Sequence, residues 1–122
     1  MSTVFAALFL ICATVSIARA EKSEVLMRGM GLADCAAYVA ESESEGYVTA
    51  GNQWVYGHWC AQNRYLTMFG RPMKNLQDST VDPEPLAAQI LAICKGEPDL
   101  QLVVVADRIF ERLPDIKLGS LP

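Results

Sequence analysis

Histidine is almost missing from this chain of 122 residues: His58 stands alone. One imidazole with one nearby cysteine, Cys60, falls short of a tetrahedral ligand set. Neither C-x-x-C nor H-x-x-x-H spacing occurs, so no metal and no cofactor is expected. Nucleophilic catalysis has little footing, because no nucleophile and carboxylate are arranged around His58 in the sequence. A carboxylate-only enzyme would leave no such signature, since paired acids can converge from any positions; the chain is nevertheless read as non-enzymatic. Runs of basic residues are also absent: Arg28, Arg64, Arg71, Lys74, Lys95, Arg108, Arg112 and Lys117 stand singly, and the formal charge is −4. An acidic surface repels phosphate, which argues against nucleic acid and against anionic membrane surfaces. Strand-like alternation is nearly absent. Its one rival is the run Val103, Val104, Val105, which helical spacing follows directly, so a helix is expected there too. Hydrophobic runs of spanning length are missing as well, because Val4 to Ile17 stops short of the about 20 residues that a transmembrane helix needs.

That apolar run, followed by Ala18, Arg19 and Ala20, reads as an export signal with an A-x-A-like site and cleavage after Ala20. Only the terminal amine supplies positive charge ahead of it. Cys12 does not mark a lipid-modification site, since Ile11 before it is too large. Residues 1–20 are therefore assigned as signal peptide, and 21–122 as a single helical domain with its core at about 32–113. Loss of Arg19 would take the formal charge from −4 to −5. A periplasmic or secreted location follows, with no stable membrane insertion after cleavage.

Cys35, Cys60 and Cys94 remain, and three pairings are open to them. Cys35 with Cys94 is favoured. It closes about 60 residues and would stabilise by roughly 4 kcal/mol on the chain-entropy view. Cys60 is then a free thiol, expected to be buried among apolar neighbours, with an intermolecular bond as the other reading.

Helical spacing runs through the remainder. Glycines at 29 and 31 delay a first helix until about Leu32, after which Leu32, Cys35, Ala36 and Val39 share a face. The acidic stretch Ser42 to Gly46 is expected to be a turn. A second helix should span about Tyr47 to Met68. Ala50, Trp54, Gly57 and Ala61 step along it by four, three and four, so Gly57 and Ala61 would open a groove for another helix backbone. A glycine inside a helix costs about 1 kcal/mol, and close packing would offset it. Trp54, Tyr56, Trp59 and Tyr65 at helical spacing are read as core before they are read as an aromatic ligand box. Gly70, Arg71 and Pro72 break this helix, and Met73 to Thr80 is a polar loop. Asp82 and Pro83 then start a third helix, whose stripe Leu86, Ile90, Ile93 and Cys94 runs to a stop at Gly96. Glu97, Pro98 and Asp99 are read as the start of a fourth. Its inner face is Leu102, Val105, Ala106, Ile109 and Leu113, and its outer face, with Asp107, Arg108, Glu111 and Arg112, is solvated.

Four pieces carry a resemblance: Cys35 to Tyr38, Trp54 to Asn63 with Gly57 and Cys60 inside it, Ile93 to Pro98, and Leu102 to Leu113. Together they resemble the small exported helical proteins of Gram-negative bacteria related to HdeA-type acid-stress chaperones and Tai-type immunity proteins. The resemblance spans roughly Leu32 to Leu113. It implies an all-α bundle of about four helices in which a cysteine of the first helix bonds to one near the end of a later helix, here Cys35 with Cys94. It also marks Trp54, Gly57, Asn63 and Pro98 as structural positions. Cys60 departs from the pattern, standing where a small residue is usual.

The resemblance implies a protein that binds other proteins. An acid-stress chaperone would let protonated carboxylates loosen the fold and expose apolar surface to unfolding clients while the disulfide limits collapse. An immunity or inhibitor protein would instead block a secreted toxin or hydrolase. Partners are thus a protein or unfolded client chains, a homodimer being also allowed, and Tyr56, His58 and Trp59 form the candidate partner surface.

Overall fold

A computed structural model describes residues 29–116. The signal peptide assigned to residues 1–20 lies outside the described residues. The described chain is all-α, with four helices: α1 (Cys35–Ala40), α2 (Glu45–Met68), α3 (Pro83–Gly96) and α4 (Leu102–Arg112). One turn of 3-10 helix precedes α1 at Met30–Leu32, and another leads into α3 at Ser79–Val81. Extended pairing among the described residues is confined to two isolated bridges, Asp34 with Gln101 and Lys74 with Asp115.

Each start has a local cause. The Asp34 carboxylate caps α1 by accepting from the Ala37 N–H at 2.8 Å. The Ser44 hydroxyl caps α2 by accepting from the Tyr47 N–H, so Glu45 and Gly46 join the helix instead of the turn expected of them. Pro83 opens α3 where its missing N–H has no intrahelical acceptor to lose. The fourth helix starts later than Glu97 to Asp99, because residues there serve α1. The Cys35 N–H donates to the Leu100 carbonyl at 2.7 Å and the Ala36 N–H to the Pro98 carbonyl at 3.0 Å, while the Leu102 N–H returns a bond to Ala33. The turn from Glu97 to Leu100 thus satisfies the first N–H groups of α1, and helix begins only at Leu102. Val103 to Val105 lie inside α4, which settles the strand alternative.

The core gathers Cys35 and Tyr38 from α1, Val55 and Trp59 from α2, Leu86, Ile90 and Cys94 from α3, and Leu102, Val105, Ala106, Ile109 and Phe110 from α4. Cys35 and Cys94 form a disulfide at the centre of it, both completely buried, and so bolt α1 to the end of α3. Cys60 is free but exposed, not buried as expected.

The long helix turns a different face inward from the one its small residues suggest. Gly51, Asn52, Val55, Trp59 and Asn63 are buried, whereas Ala50, Gly57, Cys60 and Ala61 face solvent. A β-carbon at Gly57 would meet nothing within 4 Å, so among the described residues no helix fills the expected groove. The reason is area: Val55 and Trp59 remove far more apolar surface from water than a glycine and two alanines can. Close approach falls instead at two other glycines. A β-carbon on Gly31 would lie 2.1 Å from Trp54 Cζ2, and one on Gly51 would lie 3.3 Å from Tyr38 Cε2.

Candidate interaction surface

Of the three residues expected to face a partner, Trp59 does not. It is 0% exposed, its indole N–H donating to the Ala106 carbonyl at 2.9 Å, and it anchors α2 to α4. Tyr56 is half-buried and donates its O–H to the Val81 carbonyl at 2.7 Å, a tie between α2 and the turn before α3. Burial, together with the charge of Asp82, raises the Tyr56 pKa above the usual phenol value. His58 alone of the three keeps a polar setting, and that setting was not foreseen. Its Nε2 lies 2.8 Å from Asp107 Oδ1, and the same oxygen accepts from Gln62 Nε2 at 2.8 Å. Asp107 is therefore a junction between α2 and α4, not a purely solvated charge. The Trp54 ring stacks on His58 with centroids 5.0 Å apart and completes a small layered cluster over Gly31. Among the described residues no hydroxyl or thiol is hydrogen-bonded to His58, and no group of three or more His, Cys, Asp or Glu is gathered as a metal site would require.

Asn63 turns out to be the strongest polar clamp in the fold. Its Nδ2 donates to the Lys74 carbonyl and its Oδ1 accepts the Lys74 N–H, both at 2.8 Å, so one amide imitates a strand partner for the chain after α2. Asn63→Ala strips both backbone groups of their partners. A loss of about 2 kcal/mol is expected, at the usual 1–3 kcal/mol for a buried group left unpaired, read as a lower urea midpoint with unchanged slope. Pro98, the remaining motif position, acts through its carbonyl on α1 as described above.

The surface that does look unfinished lies at the end of α2. Tyr65, Met68 and Phe69 are 61%, 75% and 62% exposed, with the Tyr65 and Phe69 rings 4.6 Å apart. Arg64 and Arg71, both exposed, flank them. Gly70, at φ +65°, turns the chain so that the Arg71 N–H donates back to the Leu66 carbonyl at 2.9 Å, while the three apolar side chains stay exposed. Beside this apolar tip a cleft of about 410 Å³ runs between α2 and α4, lined by Gln62, Leu66, Arg71, Phe110 and Glu111 among others. Tyr65, expected among the core aromatics, is thus exposed, and the sequence signal for this patch is the place of Met68 and Phe69 just before the Gly-Arg-Pro break.

No protein-family model matches this chain, and no curated protein or solved structure is significantly similar to it. No helix among the described residues is long and apolar enough to cross a membrane.

Proposed function

We propose that this chain is an exported, non-enzymatic protein that binds other proteins, in the manner of an HdeA-type acid-stress chaperone in the periplasm. The disulfide supports an oxidising compartment, as does the export-like stretch that ends at Ala20. The observation that carries the acid reading is where the ion pairs lie. Three carboxylate contacts among the described residues hold α4 or the segment just after it: the hydrogen bond of Asp107 with His58, and the ion pairs of Arg108 with Glu97 and of Lys74 with Asp115. Each needs an ionised carboxylate. At about pH 2 to 3 carboxylates in general take up protons, and the chain's Lys and Arg then stand uncompensated. Exposed pairs are worth roughly 0.2–1 kcal/mol each, so the direct loss is modest, but self-repulsion adds to it. Release of α4 would uncover Leu102, Val105, Ile109 and Phe110, while the disulfide keeps α1 on α3.

The expected result is that the oxidised protein at about pH 2.5 suppresses aggregation of an unrelated client by at least half at equimolar ratio and binds an apolar dye, and does neither at pH 7. No protection at acid pH would sink this reading. The tip at Tyr65, Met68 and Phe69 favours a second one, an immunity or inhibitor role, because it is exposed without any acid-induced change. A partner that binds the folded chain at pH 7, and is lost on Met68→Glu with folding intact, would decide for it.

A further inference from the structure

On the opposite end of α2 from the tip, a second apolar surface feature has a different character. A pocket of about 130 Å³ opens between α1, α2 and α3, walled by Tyr38, Ser42, Val48, Ala87, Ala88 and Leu91. Val48 and Met68 are 20 residues apart on one helix, about 30 Å along its axis, so pocket and tip are separate sites. The space exists because α3 presents two alanines where larger residues would close it. Its volume is close to the 150 Å³ of an engineered apolar cavity that accepts benzene, and hence suits one aliphatic or phenyl side chain. Tyr38 is 1% exposed, and its hydroxyl meets no hydrogen-bond partner among the described residues. With that hydroxyl sealed from solvent, Tyr38 offers an occupant apolar ring surface only.

Charge around the mouth is one-sided. Glu41 precedes the lining residue Ser42, Glu43 and Glu45 follow it, and Glu84 lies one turn before Ala87 and Ala88; all four are exposed. Against them stands Lys95, one turn beyond Leu91. We infer that this pocket is a docking site for one aliphatic side chain of a basic segment in a partner protein, the anchor filling the cavity and flanking Lys or Arg facing the glutamates. This deepens the protein-binding reading, but at a site formed in the folded, neutral-pH chain.

The test is a titration of the oxidised full-length protein at pH 7 and low salt with acetyl-Lys-Lys-Leu-Lys-Lys-amide, followed through the methyl resonances of Val48 and Leu91. Those methyls should shift, and replacing the peptide's leucine by glycine should weaken binding at least tenfold. Ala88→Leu, an exposed helical site where folding is retained, should also weaken binding at least tenfold. Binding that survives Ala88→Leu, equal binding by the peptide with glutamates for lysines, or no methyl shift at all would each overturn the assignment. Self-association abolished by Ala88→Leu would also overturn it, by giving the pocket to a second copy of the chain. Because the titration is run on the folded chain at pH 7, its failure leaves client protection at acid pH standing or falling on its own result.

Discussion

Cys94→Ala is expected to lower the stability of the oxidised protein by about 4 kcal/mol. The Cys35–Cys94 bond spans a sequence separation of 59, and on the chain-entropy view removing it restores that much freedom to the unfolded chain. Total stabilities of small domains run at about 5–15 kcal/mol, so the loss leaves a marginal fold. Urea unfolding followed by tryptophan fluorescence measures it, and dithiothreitol added to the unmutated protein should produce a comparable drop. Thiol labelling gives the complementary result: in the folded oxidised chain Cys60 reacts readily, being exposed, while Cys35 and Cys94 do not react. A shift below about 1 kcal/mol on reduction would mean that packing of α1 on α3 holds without the bond.

The second large effect belongs to Trp59→Ala. Trp59 is the largest of the fully buried side chains, and its ring contacts Tyr56 and Phe110 with centroids 6.1 and 6.2 Å away. Truncation leaves a cavity between α2 and α4 and removes the donor to the Ala106 carbonyl; about 3–5 kcal/mol is expected. Trp54→Ala is the control. Trp54 is half-buried and covers Gly31 from the outside, so its loss should cost clearly less in the same urea experiment. If both substitutions cost the same, the inward face of α2 is misplaced here.

Most of the helical scaffold was legible because its signals are local. Pro83 after Asp82, the stop at Gly96, the break at Gly70 to Pro72 and the apolar spacing of Leu102, Val105, Ala106 and Ile109 each act within a few residues, and each corresponds to an observed boundary or face. Which way the long helix faces was not legible in the same manner. Gly57 and Ala61 suggested a contact groove, yet the decision rests on how much apolar area α3 and α4 can cover, and that favours Val55 and Trp59. The later start of α4 has a related reason: Pro98 and Leu100 are held in a turn by bonds to α1, more than sixty residues earlier, and no window around Glu97 contains that partner. Asp107 belongs to the same group, since its meeting with His58 and Gln62 depends on how α2 crosses α4. Asn63 was singled out by its motif, but its clamp on Lys74 needed the geometry.

The bonds from Cys35, Ala36 and Leu102 also set an order of events. A chain that emerges amino end first, whether from a ribosome or through a membrane, presents α1 early, yet the acceptors for its opening N–H groups lie at Pro98 and Leu100. The first of the described helices is thus among the last to have its backbone bonds completed, and Cys35 has its partner only when Cys94 arrives. A fragment ending before Pro98 would carry both cysteines of the disulfide but lack the backbone that holds α1 in place. The covalent partner of α1 is therefore delivered a few residues ahead of its backbone acceptors, and both lie at the far end of the domain.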